Sequence, residues 1–137
     1  MIGLDTNVLA RYYVSSSDAP SQGQGALARK LIESGKRLYV SKSVVLELEW
    51  VMRGYYKSPL ADALSVLRHL QVLPNVEVED RPGVELAVNA LADGFDFAEA
   101  LHHASCRQCS SAAAFDDRNR HGQSSDFSRL FALSASP

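Results

Sequence analysis

Short apolar runs alternate with longer amphipathic segments along the chain, and this alternation constrains the fold more than any other feature. The short runs predict strands at 1–4, 37–40, 76–78, 111–115 and 130–133. Val8 and Leu9 are grouped with the apolar residues of the first strand. The strand is expected to be buried and to end near residues 5–7, and a polar loop is expected after it. Strands that alternate with helices predict an α/β fold with three layers, in which helices cover both faces of a mostly parallel sheet of about four to five strands.

The predicted helices are marked by apolar residues that recur at helical spacing. These residues are Leu27, Leu31 and Ile32; Val44, Leu48, Val51, Met52 and Tyr55; Leu60, Ala63, Leu64, Leu67 and Leu70; Val84, Ala87, Val88 and Leu91; and Phe97, Ala100, Leu101 and Ala104. Residues 15–25 (SSSDAPSQGQG) have the composition of a turn. Pro59 is expected at the first position of its helix, and Gly35, Gly54 and Gly94 are expected to end helices.

The size and composition are those of one ordinary globular domain, expected to span residues 1–137. No apolar window is long enough to span a bilayer, and the opening MIGLDTNVL lacks the basic region of a signal peptide, so a cytoplasmic location is expected. The net charge of −2 provides no overall attraction to nucleic acid. Any binding of RNA must therefore depend on locally clustered basic residues.

Cys106 and Cys109 form a Cys-x-x-Cys pair, which is found both in zinc sites and in redox motifs. His102 and His103 lie close by, but the second ligand pair of a structural zinc site is missing. We therefore expect reduced thiols on one helix, as in a reducing compartment.

Acidic residues follow two of the predicted strands. Asp5 and Asp116 each lie directly after a short apolar run, and ligands of parallel sheets bind beyond the carboxyl ends of strands. A single aspartate in such a position is more often a turn or cap residue. The positions of the other acidic residues therefore decide between the two interpretations.

Glu47 lies within an apolar helical segment, on the shoulder of its predicted buried stripe, whereas Glu49 is expected to point further toward solvent. A half-buried glutamate is costly unless it is paired or binds a cation, although it can also lie at the margin of the core. Asp96 and Glu99 have the spacing of a capping box, which is a sufficient structural explanation for both. The same spacing also places two carboxylates on the first turn of a helix, where they can hold a metal.

Several carboxylates that converge on one crevice repel each other unless they are protonated or bind a cation. An all-oxygen site of this kind suits Mg²⁺ or Mn²⁺. Such a site can activate water and stabilise an in-line displacement at phosphorus, so hydrolysis of a phosphodiester then requires no nucleophilic side chain.

The sequence resembles the PIN-domain family, and in particular the VapC-type toxins of toxin–antitoxin pairs. The resemblance extends from Met1 to the last predicted strand, and its motifs are IGLDTNVL, SKSVVLELEWVM, GFDFAEALH and AAAFD. It implies a metal-dependent endoribonuclease that uses Mg²⁺ or Mn²⁺ and acts on RNA. It also implies a homodimer and a cognate antitoxin that inserts a C-terminal segment into the acidic crevice.

The resemblance assigns roles to individual residues. Asp5 matches the first metal-binding acid, Glu47 the second and Asp116 the fourth, while Thr6 and Asn7 are neighbours that orient Asp5 or a bound water. Glu99 occupies the position of the third acid, where the family has aspartate, and Asp96 matches a further acid that many members carry. The implied metal ligands are Asp5, Asp96, Glu99 and Asp116. Candidate phosphate contacts, each equally consistent with an ordinary surface charge, are Arg11, Arg107, Arg118 and Arg120.

Other functional classes fit less well. A phosphatase with an aspartate nucleophile generally has a second aspartate two residues later, where this chain has Asn7. The chain has no glycine-rich loop followed by Lys and Ser or Thr, the motif that binds nucleotide phosphates, which argues against a nucleoside triphosphatase. The remaining alternative is a PIN-like module that binds RNA or protein and whose activity is weakened by the longer side chain of Glu99.

Overall fold

The computed structural model describes residues 1–14 and 19–111, without the side chains of residues 19–22. The chain clusters into two compact units, Met1–Arg81 and Pro82–Pro137. In chain order, the elements are β1 (Ile2–Gly3), α1 (Thr6–Tyr13), α2 (Ala19–Ile32), β2 (Leu38–Val40), α3 (Lys42–Trp50), a π-helical segment (Val51–Tyr55), α4 (Leu60–Val72), β3 (Val76–Val78), α5 (Arg81–Ala92) and α6 (Phe97–Ser105). Whether both units form one domain stays a prediction.

The three described strands form a parallel sheet in the order β1-β2-β3. Leu38 of β2 pairs with Ile2 of β1 on one side and with Val76 of β3 on the other. The central strand is the most buried, because Leu38 and Val40 have no exposed surface. The predicted α/β class with a parallel sheet is confirmed. Of the strand predicted at 111–115 only Ser111 is described, and the strand predicted at 130–133 falls outside the described part of the chain.

The residues after β1 form a helix where the sequence predicted a strand end and a polar loop. Val8 and Leu9, which had been read with the first strand, lie in α1, and Leu9 is completely buried. The carboxylate of Asp5 caps this helix by accepting a hydrogen bond from the backbone N–H of Val8. The strand itself is less buried than predicted, since Ile2 is 39% exposed and only the following Leu4 is buried.

The segment 15–25 was predicted to be a turn, but α2 already begins at Ala19. Pro20 falls in the first turn of the helix, where a missing N–H breaks no hydrogen bond. Gly25 lies where α1 approaches closely, because a Cβ atom at this position would be 3.2 Å from the carbonyl oxygen of Arg11. The glycine that suggested a turn therefore permits two helices to pack.

The buried stripe of α3 differs from the predicted one. Val45, Leu48 and Met52 are buried, whereas Tyr55, which the spacing placed on this stripe, is 74% exposed. The helix widens into the π-helical segment after Trp50, which changes the angular position of each following residue. In α4, Pro59 is the N-cap residue and not the first helical residue, but the predicted Ala63, Leu67 and Leu70 are buried.

The second unit, over its described residues, agrees with the sequence prediction. All four apolar residues predicted for the inner face of α5 are buried, and so are the four predicted for α6. Gly94 separates the two helices with a φ of +96°, a conformation that suits glycine. Within residues 1–14 and 19–111, no helix has the length and apolar character needed to cross a membrane.

Candidate active site

Asp5 lies at the carboxyl end of β1, as the sequence predicted. Its Oδ1 atom accepts the N–H of Val8 at 3.0 Å, and the residue is exposed. An ionised carboxylate has about four positions for hydrogen bonds or metal contacts, so the cap occupies only part of this capacity. Asp5 can therefore stabilise the first turn of α1 and still bind a cation.

A hydrogen bond joins the start of α1 to the middle of α3. The hydroxyl of Thr6 donates to Oε2 of Glu47 over 2.6 Å, between residues 41 positions apart in the chain. Thr6 is 6% exposed, and such a short distance is typical of a hydroxyl that donates to an ionised carboxylate. Because Asp5 directly precedes Thr6, this hydrogen bond brings the first two predicted acids into one neighbourhood of the first unit.

The exposure of the two glutamates of α3 is the reverse of the prediction. Glu47 is exposed, whereas the side chain of Glu49 is 15% exposed and lies 3.8 Å from Arg53. The cause is the shifted apolar stripe of α3, which is centred on Val45 and Leu48 and therefore passes closer to Glu49. Glu47 thus contacts solvent as well as the hydroxyl of Thr6.

Asn7 is exposed on the first turn of α1. The predicted role of Thr6, to orient Asp5 or a water, differs from its observed contact with Glu47. No feature of the sequence revealed this contact, because it depends on how α1 and α3 pack.

Asp96 and Glu99 belong to the second unit, where they begin α6. Oδ2 of Asp96 accepts the backbone N–H of Glu99 at 3.0 Å, so Asp96 is the N-cap residue that the sequence predicted. The side chain of Glu99 has one buried oxygen, Oε2. Burial lowers the pKa of His103 and neighbouring His102 lowers it further, while the charge of Glu99 acts in the opposite direction.

The remaining predicted acid, Asp116, lies outside the described residues. Taken separately and over their described residues, neither unit gathers three or more His, Cys, Asp or Glu side chains into a metal-binding group. The side-chain atoms that Thr6 and Glu47 bring into contact, and those of Asp5 next to Thr6 in the chain, are all oxygens. A hard divalent cation such as Mg²⁺ or Mn²⁺ prefers this donor chemistry.

The candidate phosphate contacts have different environments. Arg11 donates from Nε to Gln24 at 2.9 Å and from a terminal nitrogen to the hydroxyl of Tyr56 at 3.4 Å. Arg107 donates to the carbonyl oxygen of Ala104 at the end of α6. Arginine has five N–H donors, so the two contacts of Arg11 leave capacity for phosphate at that residue. Arg118 and Arg120 lie outside the described residues.

The cysteines of the Cys-x-x-Cys pair are both free thiols. They do not share one helix as predicted, because Cys106 is the C-cap residue of α6 and Cys109 lies in the turn that follows. The backbone N–H of Cys109 donates to the carbonyl oxygen of Cys106 in this turn.

Comparison with known proteins identifies the family. The model of the PIN domain matches residues 2–121, a span that includes all the predicted acids. Comparisons with curated proteins and with solved structures gave no match. PIN domains are generally nucleases and typically use divalent metal ions. Since the match covers most of the sequence, the chain belongs to the PIN domain family.

Proposed function

We propose that this protein is an endoribonuclease that depends on Mg²⁺ or Mn²⁺, and that it is the toxin of a type II toxin–antitoxin pair. The observation that carries the proposal is the hydrogen bond from Thr6, which directly follows Asp5 in the chain, to Glu47, because it links the segment of the first predicted acid to the second. Asp5 follows the carboxyl end of the parallel strand β1, which is the place where such sheets bind ligands. Membership of the PIN domain family supports a nuclease.

In this proposal, Asp5, Asp96, Glu99 and Asp116 hold the metal, as the family resemblance implies. When bound, the metal lowers the pKa of water and neutralises charge on the phosphate. Glu47, which Thr6 holds by a hydrogen bond, orients the attacking water and can take up its proton. The cap that Asp5 provides to α1 fixes its carboxylate relative to β1, so this ligand is arranged before substrate binds.

The alternative function is a binding module with weakened activity, and the environment of Glu99 favours it. Its Oε2 atom is buried, which suits a structural role at the start of α6. The side chain is also one methylene longer than the aspartate of the family, and Mg²⁺ demands near-ideal octahedral geometry. This alternative predicts that RNA binds without being cleaved.

The proposed partners are RNA, a cognate antitoxin and a second copy of the chain, and the proposed location is the cytoplasm. The antitoxin and the homodimer rest on the resemblance to VapC-type toxins. The antitoxin is proposed to insert a C-terminal segment into the acidic crevice, where it competes with RNA for the same carboxylates.

The test is cleavage of a labelled structured RNA by purified protein with Mg²⁺, with Mn²⁺ and with a chelator. We expect Asp5→Asn to reduce the metal-dependent rate at least about 100-fold, because it removes a ligand charge. Asp62→Asn is the matched control, since Asp62 is an exposed acid in the first turn of α4 and should leave the rate unchanged. Cleavage that survives Asp5→Asn would contradict the assignment of the first ligand.

Two variants at position 99 separate the nuclease from the binding module. Glu99→Asp restores the aspartate of the family and should retain or raise activity, whereas Glu99→Gln should abolish it. If the wild-type protein and Glu99→Asp both bind RNA without cleaving it, the binding module is the better description.

The role as a toxin is tested by growth arrest on expression. We expect the wild-type protein to arrest growth and Asp5→Asn to lose this effect. An arrest unchanged in that variant would exclude the proposed mechanism of toxicity.

A further inference from the structure

An open groove of about 530 Å³ lies on the first unit, between the C-terminal end of α1, α2 and α4. Its volume is in the range that accommodates small ligands or part of a chain. The groove is lined by Tyr12, Tyr13, Arg29, Ser65, Val66 and His69. None of these residues is acidic. The sequence prediction missed this groove because it read the residues of α1 as strand and loop.

Aromatic rings form one wall of the groove. Tyr12 and Tyr13 meet edge to face, with ring centroids 4.8 Å apart, and Tyr13 has the same arrangement with His69 at 5.5 Å. The hydroxyl of Tyr13 lies 2.8 Å from Nδ1 of His69, which fixes the orientation of both rings. Burial raises the pKa of Tyr13 well above its usual value, so its phenol remains neutral over the physiological range. The result is an ordered aromatic surface that is partly accessible to solvent.

Positive charge accompanies this aromatic surface. Arg29 is exposed in the last turn of α2, and His69 is exposed on α4. Among the described residues, the lining therefore has a fixed cation and an imidazole but no carboxylate, although the chain as a whole has a net charge of −2. Sites for single-stranded nucleic acid combine these two features, because bases stack on aromatic rings and cations pair with phosphates.

Helix α1 connects the groove with the candidate active site. Asp5 caps the N-terminal end of this helix, and Tyr12 and Tyr13 are at its C-terminal end. At 1.5 Å per residue, the distance along the helix axis is about 10 Å. A single strand of two or three nucleotides can cover this distance, and an open groove allows the strand to continue beyond it.

We propose that this groove, which we call the tyrosine groove, binds a single-stranded segment of the RNA substrate next to the cleaved bond. Because the rings of Tyr12 and Tyr13 are nearly perpendicular, one base stacks on Tyr12 and another on Tyr13, and Arg29 contacts a neighbouring phosphate. The inference rests on the proposed function, because the RNA that binds in the groove is the RNA whose bond is cleaved at the acidic site, and it continues from that site along α1. Bases paired within a duplex are already stacked on each other, so the groove selects unpaired RNA.

Binding is measured by fluorescence anisotropy with a labelled single-stranded 12-nucleotide RNA and with the corresponding duplex, in the presence of a chelator. The background is Asp5→Asn, so that cleavage does not interfere. Tyr12→Leu and Tyr13→Leu should each raise the Kd for single-stranded RNA about tenfold, as expected for the loss of a stacked base. Tyr13→Phe keeps the ring and should change the Kd less than about twofold.

The charge is tested separately. Arg29→Ala should weaken binding and reduce the slope of log Kd against log salt concentration by about 0.7, the value for one phosphate contact on a single strand. Tyr55→Leu and Arg37→Ala are matched controls, since both residues are exposed outside the groove, and neither should change the affinity. Circular dichroism and thermal melting identify any variant that does not fold.

If the Kd for single-stranded RNA is unchanged in folded Tyr12→Leu and Arg29→Ala, the proposal is overturned. A protein partner would then be the better candidate ligand of the groove. Equal affinity for duplex and single-stranded RNA would overturn the proposal as well. These measurements do not require cleavage. If the protein binds RNA through the groove but does not cleave it, the proposed nuclease is refuted and the proposed groove is supported. If the protein cleaves RNA but the groove variants bind it normally, the nuclease is supported and the groove is refuted.

Discussion

Replacing Thr6 with valine removes the hydroxyl that donates to Glu47 at 2.6 Å but keeps the branched shape of the side chain. Hydrogen bonds to charged groups contribute about 1.5–3 kcal/mol to stability, and the loss is largest where the remaining group stays buried and unsatisfied. Glu47 is exposed and regains water, so we expect the free energy of unfolding to fall by only about 1 kcal/mol. The effect on catalysis should be larger, about 10- to 100-fold in rate, because a small displacement of an orienting carboxylate is enough to misplace the attacking water.

A double-mutant cycle with Glu47→Ala, which removes the acceptor, separates the contact from other effects of each substitution. Unfolding in urea gives the coupling in stability, and single-turnover cleavage of RNA gives the coupling in activity. We expect a coupling energy above about 0.5 kcal/mol in both, which is beyond the deviation seen for independent sites. Thr6→Ser retains the hydroxyl and serves as the control. If Thr6→Val and Glu47→Ala have additive effects, or Thr6→Val cleaves at the wild-type rate, the reasoning is refuted.

Three further predictions concern stability. Asp5→Asn should change the free energy of unfolding by less than about 0.5 kcal/mol, because asparagine also caps helices. Asp5→Ala should lower it by about 1 kcal/mol. Equal losses for the two variants in urea unfolding would show that the cap does not contribute. Phe97 is 1% exposed, so Phe97→Ala should cost about 3–5 kcal/mol, and a loss under about 1 kcal/mol would contradict its place in the core. Burial lowers the pKa of His103 below its usual 6.5, so between these two pKa values the folded state binds fewer protons than the unfolded state. The melting temperature should therefore fall as the pH is lowered through 6.5 toward the pKa of the folded state. His103→Gln should reduce this dependence on pH, and an identical pH profile in the variant would exclude His103 as its cause.

The elements with clear periodicity could be predicted from the sequence. The strands β2 and β3 and the inner faces of α5 and α6 agree with the pattern of apolar residues. Helix α1 could not be predicted in this way, because it has eight residues and follows a strand of two residues, which leaves too few apolar positions to distinguish a period of two from one of 3.6. The start of α2 was missed because glycine and proline, which usually indicate turns, serve there to begin the helix and to let it pack against α1.

The sequence alone determined the strands β2 and β3, the helices with clear periodicity, the cap formed by Asp96 and the acidic residues available for a metal, since these depend on groups within a few positions of each other. The tertiary structure decided that Thr6 contacts Glu47, that Glu47 and not Glu49 is exposed, and that α1, α2 and α4 line the tyrosine groove. The physical reason is that local hydrogen bonds follow from spacing along the chain. Contacts between residues some forty positions apart depend instead on which faces of the helices pack together, and that is set by the burial of the whole core.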